Sequence, residues 1–274
     1  DPSMREMETT LPLGWMTLSI DGLASSQPRS IQSGPFGSSL KHSEFQSEGA
    51  LAIGIDNVLD GEFSLGREHR ISHEKYRELA KYQARPGDVA ITVMATIGRC
   101  CVIPDNLGQA IITKHVYRIS PEASLVDSRY LMNALRGSQE VLRQLNGGVR
   151  GQTRPGINGG VIKSLQIPIA PIHEQRRIVA KLEELFSELD AGVEALRRAQ
   201  RRLTRYRQAL LQVAVTGELT RNWREGQPQN MKNKQPEDLP TDWITLPLNN
   251  VGRWGTGGTP SRVKPEYFGP GIPW

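Results

Sequence analysis

The feature that most constrains this chain is a helical pattern that runs without a proline from His173 to about Val215. Its apolar positions are Ile178, Leu182, Leu185, Leu189, Val193, Leu196, Leu203, Tyr206, Leu210 and Val213. Most gaps are three or four residues, or seven where Ala199 and Gln200 fill the middle, which is close to the seam of a coiled coil. Gly217 is placed to end it. At about 1.5 Å per residue the segment makes a rod on the order of 65 Å. Such a rod cannot pack wholly against one small domain, so a partner helix is expected.

Upstream the pattern changes. Short β-branched runs read as strands: Val89 to Val93, Cys101 to Ile103, Ala110 to Ile112 and His115 to Ile119. Arg85-Pro86-Gly87-Asp88 supplies the turn before the first. Ser128 to Leu145 has amphipathic spacing, with Tyr130, Leu131, Ala134, Leu135, Val141, Leu142 and Leu145 as its apolar set, and Gly147-Gly148 stops it. The expected fold class is therefore a globular α/β (α+β) domain followed by a long coiled-coil-forming α-helix.

After the helix an internal echo appears. Leu11-Pro12-Leu13-Gly14-Trp15-Met16-Thr17-Leu18 matches Leu239-Pro240-Thr241-Asp242-Trp243-Ile244-Thr245-Leu246 at five of eight positions. Lys41 to Phe45 resembles Lys264 to Phe268 in the same order, which makes a repeat. The organisation expected is a tag-like or disordered leader (1–10), a first globular domain (11–171), the long helix (172–218), a polar linker (219–238) and the truncated start of a second, similar domain (239–274).

Composition narrows the function classes. Net charge is +5, which permits a polyanionic partner. Hydrophobic residues make up 37%, and no run reaches the roughly 18–20 apolar residues of a membrane span. The two cysteines, Cys100 and Cys101, are neighbours, which suits apolar strand positions better than a disulfide framework and points to a reducing, cytoplasmic setting. The five histidines (42, 69, 73, 115 and 173) are scattered; His69 and His73 lack a third ligand nearby, so no metal is expected. Glu62, Glu68 and Asp88 do not form a nuclease-like Asp…Glu-x-Lys arrangement.

Gly156-Ile157-Asn158, Leu165-Gln166-Ile167-Pro168-Ile169-Ala170-Pro171, and Glu174-Gln175-Arg176-Arg177-Ile178-Val179 together closely resemble a signature of type I restriction specificity subunits. Ala209-Leu210-Leu211 through Thr216-Gly217-Glu218-Leu219-Thr220 resembles the close of that family's long helix, and the Leu-Pro-x-x-Trp opening resembles the start of its recognition domains. The resemblance implies two target-recognition domains separated by two long antiparallel helices. Each domain reads half of a split double-stranded DNA target, and the helices set the gap and dock modification subunits, which bind S-adenosylmethionine and methylate adenine. A restriction subunit joins to cleave, and the specificity subunit itself is not an enzyme. The adenine-methylation motif Asn/Asp-Pro-Pro-Tyr/Phe is absent from this sequence. This sequence departs from that pattern in lacking the second helix, and because the seam still needs covering, the expectation is an antiparallel homodimer through residues 178 to 213.

Three groups of residues are candidate DNA contacts. The loop Ser33 to His42 offers glycines, the Ser38 hydroxyl, Lys41 and His42. Asn146 to Arg154 carries Arg150, Gln152 and Arg154, side chains suited to guanine and adenine edges. Arg99, Lys114 and His115 flank strands. The cluster Arg197, Arg198, Arg201, Arg202, Arg205 and Arg207 fits either a phosphate-contacting or a solvated helix face. A protein-binding coiled-coil scaffold, and the target-reading region of a fused restriction–methylation enzyme, remain the alternative classes.

Overall fold

The computed structural model describes residues 11–149, 156–226, 240, 243–258 and 263. The chain divides into two compact units, Asp1–Leu189 and Asp190–Trp274.

The first unit is built on three small sheets. β1 (Met16–Ser19) pairs antiparallel with β9 (Gln166–Ile169), so the extended segment before the long helix is tied to the domain's opening strand. A four-stranded antiparallel sheet has the order β2 (Ile31–Ser33), β8 (Val116–Ile119), β5 (Val89–Thr92), β6 (Cys100–Val102). A third sheet sets β3 (Ala50–Ile53) between antiparallel β4 (Arg70–Ile71) and parallel β7 (Ala110–Ile112). Every residue of β3, β5 and β7 is buried, which is why these strands read as continuous apolar runs rather than alternating ones. The short helices are α1 (Ile20–Leu23), α2 (His73–Glu78) and α5 (Gly159–Ser164).

The amphipathic stretch after Asp127 folds as two helices, α3 (Ser128–Gly137) and α4 (Gln139–Gly148), where the spacing alone predicts one. Gly137 weakens the helix, and Ser138 adopts extended backbone with its hydroxyl accepting from Val141 N–H, so a new helix is capped at the break. Both keep the predicted apolar side inward: Tyr130, Leu131, Leu135, Val141 and Leu145 are buried.

Several buried polar side chains find partners inside the first unit. The Asp88 carboxylate accepts from Ser120 Oγ (2.6 Å) and Arg85 N–H (2.8 Å), and lies 3.6 Å from the Arg118 guanidinium, which donates to the carbonyls of Gln83 and Arg29. Burial outweighs the pairing, holding Asp88 above the usual carboxylate range and Arg118 below its usual value. Asn57 pins the loop after β3, accepting from Gly54 N–H and donating to the carbonyls of Ser64 and Leu65. Cys100 and Cys101 are free and buried, and desolvation pushes both thiols up to about 12.

The long helix α6 runs Ile172–Val215. Its first turns are fixed by Gln175, fully buried, whose amide donates to the carbonyls of Leu125 and Ala170 and accepts from Asp127 N–H (2.9 Å). Val179 is buried and Ile178 packs on the same core. From Leu185 onward the large apolar side chains are exposed, including Leu196 at 73% and Leu203 at 68%.

In the second unit α6 ends at a left-handed Gly217 (φ +77°). The start of the expected linker is instead helical, α7 (Arg221–Glu225), because Arg224 ties back to Thr220 Oγ1 (2.6 Å) and to the Gly217 carbonyl. Beyond it the described residues include one short helix, α8 (Leu248–Val251). Among the described residues no helix is long and apolar enough to cross a membrane.

Candidate nucleic-acid interface

Strand register decides which loops meet. β5 ends at Thr92 and β6 begins at Cys100, so the turn 93–99 caps one end of the four-stranded sheet. β8 begins at this end, where Thr92 faces Val116, and Ser33 of β2 faces Tyr117. The loop Ser33 to His42 and the turn Thr113-Lys114-His115 therefore emerge beside the β5–β6 turn. Two bonds close the arrangement: Val93 N–H donates to the His115 carbonyl (3.0 Å), and Gly34 N–H to that of Val116 (3.3 Å). Parallel pairing brings the end of β3 to the same place, with Thr113 N–H on the Ile53 carbonyl (2.9 Å).

Close approach dictates Gly34. A Cβ there would fall 2.2 Å from the Thr113 carbonyl carbon, so any side chain would push the two loops apart. The β5–β6 turn is tight as well: Gly98 N–H donates to the Thr92 carbonyl (2.9 Å), and the Thr92 hydroxyl donates to that of Thr96. Ala95 at its tip takes φ +62°, a left-handed conformation held by these bonds.

Of the sequence-predicted contacts, Arg99, Lys114 and His115 lie at this end, and Ser38, Lys41 and His42 lie further along the loop that leaves it at Ser33; all but half-buried His115 are exposed. His115 is held below the usual histidine range by burial and then by neighbouring Lys114. His42 stacks edge-on against Phe45 (5.7 Å between rings), which also meets His69 (4.8 Å). Lys41 N–H donates to the Glu44 carboxylate (2.6 Å); this bond and the Lys75 ammonium hold Glu44 below its ordinary value. The seat that Phe45 gives His42, and the Glu44 bond at Lys41, carried no sequence signal, because both depend on tertiary packing.

Arg150, Gln152 and Arg154 lie outside the described residues. Their flanks reach the same end: Leu145 of α4 lies against Gly98, and Gly156 bridges Met94 while Ile157 N–H donates to the Val93 carbonyl (3.0 Å). Among the described residues no three His, Cys, Asp or Glu side chains gather as a metal site. His73 Nδ1 instead pairs with Gln109 Oε1 (2.8 Å).

Residues 62–196 match the family described as type I restriction modification DNA specificity domain, and the chain is similar to the specificity subunits of type I restriction–modification systems. It is 28% identical over 181 residues to the type I restriction enzyme EcoBI specificity subunit of Escherichia coli, covering 66% of this chain and 38% of that protein. It is 27% identical over 142 residues to the EcoDI specificity subunit of Escherichia coli, covering 47% of this chain and 31% of the relative. The chain thus spans well under half the length of these relatives. The HsdS subunit from Thermoanaerobacter tengcongensis superposes with TM-score 0.50 at 25% identity, over 77% of this chain and 47% of that one. A chain from a structure of type I R-M complex assembly and conformational transition shares the fold with TM-score 0.57 at 23% identity, over 77% of this chain and 48% of its own.

Proposed function

We propose that this chain reads one half of a bipartite double-stranded DNA target through the loop cluster of residues 11–171, while α6 docks modification subunits and spaces the half-sites. The observation that supports this reading is the convergence of sequence-distant segments, the loop that starts at Ser33, the turn 93–99 and the turn 113–115, on one sheet end that presents Arg99 and Lys114 to solvent. Cations of this kind neutralise phosphates, and polar groups on fixed loops read base edges. Chemistry on the base falls to the modification subunits, with their S-adenosylmethionine, and cleavage to a restriction subunit. Buried free thiols suit a cytoplasmic setting.

For α6 the reading is an antiparallel pairing with a second copy, along Leu182, Leu185, Leu189, Val193, Leu196, Leu203, Tyr206, Leu210 and Val213. Two observations favour it. Most of this stripe is exposed. The helix is also split in charge: Glu183 to Glu194 holds five acidic residues and no basic one, whereas Ala195 to Val215 holds six arginines and no acidic one. Antiparallel copies pivoting near Leu196 set acid against base, whereas parallel copies set like against like. Ile178, packed on the domain core, contributes least.

The test is duplex binding followed across salt by fluorescence anisotropy, with solution mass by light scattering. Wild type is expected to bind. Lys41→Ala, Arg99→Ala and Lys114→Ala are each expected to lower the salt slope by roughly 0.9 for every phosphate left unneutralised. A dimer that binds DNA at no salt concentration would replace this reading with the protein-binding scaffold. A monomer would refute the homodimeric pairing.

A further inference from the structure

One large apolar side chain of the loop that starts at Ser33 stands exposed. Phe36 is 57% exposed, while Gly34 and Pro35 immediately before it are buried. The other aromatics near this end, Phe45, Phe63 and Tyr117, are partly buried and pack on the cores, so the domain does cover such rings where it has no other use for them.

The backbone explains how the ring is held out. Gly34 is locked against Thr113, where no Cβ fits, and Pro35 fixes the next φ. After Phe36 the chain turns at once: Gly37 takes φ +61° and opens a 3-10 turn through Ser39, whose N–H donates to the Phe36 carbonyl (3.3 Å). The ring thus stands on a buried Gly-Pro base, and the turn behind it carries Ser38 and leads to Lys41. Lys114 follows Thr113 directly on the opposing loop. An apolar ring on a stiff mount, flanked by phosphate-type cations, is the chemistry of a wedge that enters between stacked bases.

We infer that Phe36 inserts its ring at a base step of the duplex, a contact that rests on the DNA-reading function proposed above and adds a non-ionic element to it. It unstacks the step locally and gains the face of a base in exchange. Because the ring displaces no counterion, its contribution is independent of salt, unlike that of Lys41.

The experiment uses the full chain and a duplex enriched by wild type from a random-sequence library. Phe36→Ala is expected to weaken binding roughly 5- to 150-fold, the span of one base–aromatic stack, with an unchanged salt slope and an unchanged melting temperature. Phe36→Trp is expected to retain affinity. 2-Aminopurine walked through the enriched duplex should brighten at one step with wild type and not with Phe36→Ala. Binding by Phe36→Ala within about twofold of wild type, or a loss of affinity with no step that brightens under wild type, overturns the inference while leaving the DNA reading intact. If wild type enriches no duplex, the DNA reading itself fails and takes the wedge with it.

Discussion

The sheet domain and the long helix obey opposite rules for the same residue types. In the domain, Leu131, Leu135, Ile91 and Ile119 are fully buried, and the buried Asp88 and Gln175 side chains find hydrogen-bond partners within the fold. On α6, leucines at 189, 196 and 203 stand in solvent, and the ion pairs beside them, such as Arg197 with Glu194 (2.7 Å), are exposed pairs worth little. Along the helix burial falls away: Gln175 and Val179 are buried, whereas Leu189 is 63% exposed and Leu196 73%. The contrast teaches that the two regions are selected for different surroundings. One buries its large apolar side chains, and the other leaves most of them exposed.

The strongest way to break that contrast is to make one substitution in both regions. Leu131→Ala empties a fully buried site and is expected to cost about 2–5 kcal/mol in domain stability. Leu203→Ala removes a side chain that is 68% exposed, and should leave the domain's melt unmoved while shifting solution mass toward monomer. Thermal melts and light scattering at matched concentrations separate the two. A Leu203→Ala chain whose domain melts several degrees lower would mean that the helix stripe is covered within the chain.

A second prediction uses the cysteines. Both thiols are neutral in the fold, with pKa raised from 9.0 to about 12 by burial, whereas in the unfolded chain they ionise near the ordinary value. The unfolded state then binds fewer protons than the folded state between about pH 9 and 12, so stability falls as pH rises through that window and is intact below it. Chemical melts from pH 8 upward, compared with a Cys100→Ala, Cys101→Ala chain, should show a steeper alkaline loss for wild type, roughly 1.4 kcal/mol per thiol per pH unit at most. Equal slopes would show that the strand opens to solvent at high pH before the domain unfolds.

Legibility followed the same contrast. The helix could be read almost to the residue, Ile172–Val215, because spacing, the absence of proline and Gly217 are local signals. The strands at 89, 100, 110 and 116 were legible within a residue of their ends, because β-branched runs and the Pro86-Gly87 turn are local too. The domain's pairing was not: no local signal says that Ile53 lies parallel to Ile112, or that Met16 meets Ile169. The split at Ser138 escapes the pattern because a serine within an amphipathic run reads as helix until its hydroxyl is seen capping the next one. The candidate site follows suit. Ser38, Lys41, Arg99 and Lys114 were visible one at a time as polar residues beside strands, and only register shows that the loop carrying the first two starts at the sheet end that holds the others. Gln175 read as part of a family motif, and its work of joining Leu125, Ala170 and Asp127 is a tertiary fact.

The smallest expected effect lies at the tip of that shared end. Ala95 is one of two non-glycine residues with positive φ among those described, at +62°, and it sits exposed between Val93, which ties to His115, and Thr96, whose carbonyl takes the Thr92 hydroxyl. The turn's own bonds impose this backbone, and a Cβ there costs roughly 1 kcal/mol. Ala95→Gly relieves that strain in the fold but also gives the unfolded chain more freedom, which takes back about 0.4–1 kcal/mol. The two terms nearly cancel, so the melting point should move by no more than a degree or two. Their balance bears on function. If the left-handed residue serves only to close the hairpin, Ala95→Gly leaves DNA affinity as it was. If the stiff turn holds Arg99 in place for a phosphate, the glycine loosens it, and affinity falls at a nearly constant melting point. Anisotropy and a thermal melt on the same sample distinguish a turn that merely connects β5 to β6 from one that positions a DNA-binding side chain.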